Sequence, residues 1–326
     1  MSIVVRQPQV CADEIQQGAS TGNLVVGWQP KHAAQWGHVP VCVEHRLHTS
    51  PLFSRAALAE LIDQYPRKYY SIIHMGAMNG DRHFWREGDL GGMPGDKVIN
   101  AIEDGRLWLN LRHVGDVDKR YAQVIDTLLD ELGVLAPDFA TTFRGCGIII
   151  SSPKAQVYFH ADVPGHTLLQ IAGRKRVYFY PPHPPFIAPE DLERISIFGL
   201  EVDLPYSDWF DEHAKIFEFE PGQMLYWPHT APHRIENYDS MNISLTANFV
   251  TPEIRRRQKV IMANGILRHR FGWRPHSNST HGPSFWAKNV LQKALRNSNW
   301  MKKRRYSKHV VQFKLDAAAP DHIGSL

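Results

Sequence analysis

Apolar positions along this chain follow three successive patterns. Leu58, Leu61, Ile62 and Tyr65 recur at i, i+3, i+4 and i+7, which lays them on one face of a helix over about 54–64, with Ser54 as its cap and Pro66 as its stop. The same period returns over 119–132 through Tyr121, Val124, Ile125, Leu128 and Leu132, and Gly133 suits the end. Residues 1–50 show little periodicity, and 80–98, rich in Gly, Asp and Arg, read as a loop. From Thr141 to Val250 the helical period gives way to short β-rich runs broken by Pro and Gly. These predict strands at 147–151, 156–160, 167–171, 175–180, 216–220, 224–227, 233–237 and 242–250. An acidic, aromatic insertion at 189–214 interrupts them. After Thr251-Pro252 the pattern is helical again, over 253–270 and 285–296, and the end looks loose. The expectation is a mainly β chain with flanking helices, built on a barrel or sandwich.

Composition narrows this little: 43% apolar and 21% charged residues suit a globular chain of 326 residues. Three cysteines, Cys11, Cys42 and Cys146, are odd in number and lack C-x-x-C spacing. They argue against a disulfide framework or a cysteine–zinc site and for a reducing compartment. No basic stretch followed by an apolar run opens the chain, and no window approaches the ~18 apolar residues of a membrane span. A soluble, cytoplasmic protein with no membrane contact is expected. Charge is uneven. Residues 253–326 hold 16 Lys and Arg against three acids, a net of +13, while the remainder carries −9.

Chemistry concentrates in the β-rich segment. His160-Ala161-Asp162 places an imidazole and a carboxylate at i and i+2, on one face of a strand. Among 18 histidines such a pair also arises by chance. A second run, Pro221 to His233, offers a Pro-Gly turn, a strand, a proline-bounded loop and then a histidine. His229 and His233 have helical i, i+4 spacing, but Pro232 argues against a helix there. His233 is therefore the candidate third ligand and His229 a loop residue. Two histidines and one carboxylate leave about three metal positions open, the facial arrangement of non-haem iron oxygenases. In the third run, Gln170 to Pro182, the chain turns at Gly173 and puts Lys175 on the face of Val177 and Phe179. That is an odd core position unless the lysine meets an anion; the other reading leaves it solvated.

The run His160-x-Asp162-x3-His166-x3-Gln170-x2-Gly173-x-Lys175-Arg176, followed by Pro221 to Phe249, resembles the signature of JmjC-like and factor-inhibiting-HIF-like cupins over about 140–250. The resemblance implies a double-stranded β-helix (jelly-roll, cupin) core with C-terminal helices. It implies an Fe(II)- and 2-oxoglutarate-dependent oxygenase, a hydroxylase or demethylase, with O2 as the oxidant. By position, His160, Asp162 and His233 match the metal ligands and catalytic centre, and Lys175 matches the lysine that pairs with 2-oxoglutarate. Asn248 falls in the co-substrate pocket, and Gln170 matches a substrate-proximal residue. His166 departs from the family's usual Asn beside the co-substrate. The hydroxyl partner of Lys175 is open among Tyr158, Ser151 and Ser152.

The expected organisation is an N-terminal α+β region at 1–139, a cupin core at 140–252 carrying the insertion, and a basic helical region at 253–326. Relatives dimerise through C-terminal helices, and 253–298 are placed to do so. The basic tail, with Arg255-Arg256-Arg257 and Lys302-Lys303-Arg304-Arg305, suits an anionic partner or a solvated face. Within the insertion, Trp209, with Tyr206, Phe210, Asp203, Asp208, Asp211 and Glu212, is a candidate lid near a protein, peptide or small-molecule substrate. His45-x-x-His48, without a third ligand nearby, reads as structural. The competing functional class is a metal-binding cupin without oxygenase activity: a sensor, scaffold, hydrolase or isomerase.

Overall fold

The computed structural model describes residues 9–10, 23–75, 85–199, 204–304, 310–319 and 321–326. Most of the N-terminal segment read for a leader, Cys11, the start of the 80–98 loop, Asp203 and Arg305 lie outside the described residues.

Eight strands build a jelly roll: β1 (Phe143–Ser151), β2 (Gln156–His160), β3 (Gly165–Ala172), β4 (Lys175–Phe179), β5 (Lys215–Phe219), β6 (Gln223–Tyr226), β7 (His233–Asn237) and β8 (Asn242–Val250). One sheet runs β1-β8-β3-β6 and the other β2-β7-β4-β5, with every one of these pairings antiparallel. The first sheet grows at both edges. Beyond β1 lie Leu107–Arg112, Tyr70–Met75, Trp85–Asp89 and Phe313–Leu315, and beyond β6 lie Val41–His45 and Val25–Val26.

The alternation of β8 explains where the core and the chemistry sit. Ile243, Leu245, Ala247 and Phe249 point outward into the main apolar core, where they join Tyr121, Ile125, Leu128, Leu129 and Leu132 of the helix Lys119–Leu135. Each large side chain removed from water there contributes ~1.5–3 kcal/mol. The alternate row, Asn242, Ser244, Thr246 and Asn248, faces the other way, into the barrel. A second apolar cluster of Leu168, Val177, Phe179, Phe217, Leu225 and Trp227 fills the interior around that polar row. At the β3–β4 hairpin Gly173 has φ +74°, and a Cβ there would stand 2.3 Å from the Met241 carbonyl oxygen, so only glycine makes this turn.

Several expectations need correction. Gly133 does not end its helix, which runs on to Leu135 and stops at Ala136. A strand, Trp85–Asp89, and the start of the helix Gly95–Asp104 occupy the stretch read as a loop. The C-terminal end is not loose throughout: Phe313–Leu315 adds a parallel strand beside Gly88 and Asp89, and a Cβ on Gly88 would lie 2.3 Å from the fully buried Phe313 ring. Such pairing across more than 220 residues has no local signal. Cys146 is a free, buried thiol, whereas Cys42 is disulfide-bonded, which the cysteine spacing did not suggest. No helix among the described residues is long and apolar enough to cross a membrane.

The insertion is a helix, Pro189–Phe198, followed by a 3-10 turn, Asp208–His213. Asp211 ties it to the barrel by accepting hydrogen bonds from Tyr180, Tyr206 and Arg234. The C-terminal helix Pro252–Phe271 packs on that insertion helix, and Gly282–Leu295 packs on Pro252–Phe271.

Candidate metal centre and adjoining cavity

Strand register brings the candidate ligands together. His233 opens β7 directly opposite His160, the last residue of β2, and Asp162 follows two residues later. One ligand atom from each of the three lies within 4.8 Å of the others. His233 Nε2 is 3.4 Å from Asp162 Oδ2, and the two imidazole centroids are 4.1 Å apart. Ligands ~2.1 Å from a common ion stand about 3 Å apart when adjacent, so this opening suits a first-row divalent metal.

Tautomers point the same way. His160 Nδ1 is 2.7 Å from the Tyr158 carbonyl oxygen, and His233 Nδ1 is 3.1 Å from that of Ala231. A carbonyl only accepts, so both Nδ1 atoms carry the proton and both Nε2 lone pairs are free to ligate. Burial pushes His233 down to about 3, which keeps it neutral. Burial works against the carboxylate of Asp162, but the surrounding imidazoles of His166, His233, His160 and His229 outweigh it and hold the carboxyl below the usual range. His166 is one of them: its Nδ1 lies 3.4 Å from Asp162 Oδ2 and 3.2 Å from the Pro164 carbonyl. The donor set of two neutral imidazoles and one carboxylate thus fits iron(II) and leaves room for exchangeable ligands.

Lys175 sits four residues along β4 from Phe179, the partner of His233, on the same interior face. That is roughly 13 Å of strand. Lys175 is 3% exposed, and burial pulls its ammonium down to about 7. No carboxylate pairs with it among the described residues. Its hydrogen-bond partner among the described residues is a hydroxyl: Nζ donates to Ser244 Oγ at 2.7 Å, and Ser244 donates to Gln170 Oε1 at 2.8 Å. The Gln170 amide is then held by Asn242 Oδ1 and by the Ala172 and Gly173 carbonyls. A cavity opens beside Lys175, walled by Ile149, Leu168 and Ile235 and edged by Ser151, Asn237 and Trp108. The Trp108 Nε1 donor is buried there without a hydrogen-bond partner among the described residues.

Other expected residues fall in varied places. The hydroxyl at Lys175 belongs to Ser244, not to Tyr158, Ser151 or Ser152. Tyr158 is buried on β2. Ser151 accepts from Asn237, and Ser152 joins Leu107 and Ile102. Gln170 is fully buried behind the lysine, its amide divided between the β3–β4 turn and Asn242 and Ser244 of β8. Asn248 lies opposite His166 on the interior row, with a buried Oδ1 that no described residue satisfies. Trp209 is 45% exposed and packs on Phe186, Phe210 and His213 at the surface of the insertion. His45 is buried, with Nε2 against the Gln170 carbonyl. The residues missed were Ser244 and Trp108. For Ser244 a signal existed, since it lies on the polar face of an otherwise apolar strand.

Residues 115–253 match the family described as a cupin-like domain. Over 99 residues the chain is 32% identical to tRNA wybutosine-synthesizing protein 5 of Danio rerio, a stretch spanning 28% of this chain and 27% of that protein. YcfD, a ribosomal oxygenase from Escherichia coli solved with cobalt and 2-oxoglutarate, superposes with a TM-score of 0.45 at 19% identity. That match covers 82% of this chain and 66% of YcfD. A second structure of YcfD gives 0.46 at 18% identity, over 82% of this chain and 67% of that one.

Proposed function

Taking residues 115–253 as a cupin-like domain, we propose that this chain is an iron(II)- and 2-oxoglutarate-dependent oxygenase that hydroxylates a C–H bond of a protein side chain or a small molecule. One observation carries the reading. A buried ammonium without an acid partner closes one end of a cavity in the same barrel that gathers two neutral imidazoles and a carboxylate. An unpaired buried charge is expensive to keep, and a bound carboxylate is the partner that compensates it.

His160, Asp162 and His233 hold the metal. Bound there, iron(II) supplies the redox chemistry by which O2 and 2-oxoglutarate become succinate and CO2 while one oxygen atom enters the substrate C–H; on an N-methyl carbon the same chemistry gives demethylation. The backbone carbonyls of Tyr158 and Ala231 fix the two imidazole orientations. Lys175 anchors the distal carboxylate of the co-substrate, Ser244 and Gln170 hold the lysine in place, and the Trp108 N–H adds a donor at the cavity edge. The apolar walls around Leu168 and Ile235 exclude water.

Exposed Arg255 and Arg257 begin a basic surface that fits an anionic partner, and the curated relative's name puts tRNA among the candidates. Exposed Trp286 and Val290 on the helix Gly282–Leu295, with exposed Trp273 in the segment between the two C-terminal helices, are the surface on which the expected self-association would rest.

The test is co-substrate turnover. Purified protein with iron(II), ascorbate and 13C-labelled 2-oxoglutarate is expected to release labelled succinate, and His160→Ala is expected to stop it. Metal binding without any binding of 2-oxoglutarate would favour the non-oxygenase cupin instead.

A further inference from the structure

A second pocket is lined by Asp162. Its floor is Asp162 and Val163 from the loop after β2. Leu192 and Ile195 of the helix Pro189–Phe198 and Ile261 of the helix Pro252–Phe271 roof it. The insertion and the first C-terminal helix therefore combine to make a compartment that opens onto a candidate metal ligand.

His229 lines this compartment, is 8% exposed, and belongs to none of the roles assigned above. Its Nε2 stands 2.7 Å from the Val163 carbonyl oxygen. That oxygen only accepts, so the ring proton is on Nε2 and Nδ1 is a bare acceptor. Nδ1 is buried and has no hydrogen-bond partner among the described residues, an arrangement native interiors rarely leave without a purpose. The next residue, Thr230, is β-branched yet has φ +68°. A β-branched residue is strained there, and such strain concentrates where a loop must present a group accurately. No charged side chain other than Asp162 lines the compartment.

We propose that this compartment is the primary-substrate subsite, and that it takes an uncharged aliphatic group carrying one N–H or O–H donor, which His229 Nδ1 accepts. Its identification as the substrate's place rests on the oxygenase reading; its chemical selectivity does not. An anion entering it would lose its hydration beside Leu192, Ile195 and Ile261 without gaining a partner, and once Asp162 is taken up as a metal ligand a cation gains none either. His229 is thus a specificity-determining residue.

Isosteric probes test this on the full chain: isobutyramide and isobutanol as donors, methyl isopropyl ketone without a donor, isobutylamine as cation and isobutyrate as anion. Ligand-observed saturation-transfer NMR reads binding. The two donors are expected to bind about tenfold more tightly than the ketone and the charged isosteres, the factor for one lost hydrogen bond. His229→Phe is expected to bring isobutyramide down to the level of the ketone. His229→Asn, whose amide oxygen takes the place of Nδ1, keeps part of the preference. Ile261→Phe fills the space and weakens every probe that enters the compartment. Tightest binding by isobutylamine, equal binding of amide and ketone, no binding of isobutyramide, or no response to His229→Phe would each overturn the proposal. Mn(II) and 2-oxoglutarate binding are measured in parallel. Loss of probe selectivity with both intact removes this subsite alone, whereas selective probe binding without 2-oxoglutarate binding removes the oxygenase reading and leaves the subsite standing.

Discussion

Replacing Lys175 with Met keeps the aliphatic stem and removes the charge with its donors. Lys175 is 3% exposed, and burial lowers its ammonium from 10.5 to about 7. At ~1.36 kcal/mol per pH unit, burying that charge opposes folding by about 5 kcal/mol. The hydrogen bond to Ser244 offsets ~1–2 kcal/mol of this. Lys175→Met is therefore expected to make the ligand-free protein about 3–4 kcal/mol more stable in urea unfolding at pH 7. The same substitution is expected to weaken 2-oxoglutarate, measured by calorimetry with Mn(II), by roughly ten- to a hundredfold, the worth of one charged hydrogen bond. The pH dependence gives a third signature. Unfolded chains keep the lysine proton up to 10.5, and the folded protein releases it near 7. Between those values the unfolded state binds more protons, so wild-type stability rises with pH by up to ~1.36 kcal/mol per unit, and the variant lacks that rise. A variant that is less stable, with unchanged 2-oxoglutarate affinity, would make Lys175 a packing residue and refute the reasoning.

Ser244→Ala removes the hydroxyl between Lys175 and Gln170; it is expected to cost ~1–2 kcal/mol of stability and to weaken 2-oxoglutarate several-fold by calorimetry, whereas Tyr158→Phe leaves that affinity unchanged. Burial holds His45 and His229 at about 4 and His233 at about 3. All three take up protons near 6.5 only when unfolded, so the metal-free protein loses stability as pH falls from 6.5 toward 4. Urea midpoints should show a slope of about 4 kcal/mol per pH unit near pH 5, and a flat profile contradicts this. Asp211→Ala strips Arg234, Tyr180 and Tyr206 of their shared acceptor; a loss of ~2–4 kcal/mol and faster proteolytic cleavage within 204–214 are expected.

Much of the barrel was legible in the sequence because the strands carry their own two-residue period and most of the turns their own Gly or Pro. β2, β7 and β8 fall where the alternation places them. Metal-ligand candidates were legible for the same reason: His160 and Asp162 are local neighbours, and His233 begins a strand whose start a proline marks. What escaped depends on contacts between distant segments. Ser244 lies 69 residues from Lys175, and only the β8–β3 and β4–β7 pairings bring them together. Trp108 reaches the cavity because Leu107–Arg112 extends the sheet beyond β1, a pairing with no marker in its own sequence. Phe313–Leu315 closes on Gly88 and Asp89 for tertiary reasons alone. Gly133 looked like a helix end by residue type, but the helix continues two residues past it to Leu135 before the chain leaves at Ala136.

The most direct measurement is an anaerobic crystal structure of the protein with Mn(II) and 2-oxoglutarate, with manganese placed by its anomalous signal. The account predicts one ion bound by His160 Nε2, Asp162 and His233 Nε2, and a carboxylate of 2-oxoglutarate on Lys175 Nζ. Manganese elsewhere, or 2-oxoglutarate held away from Lys175, would contradict it.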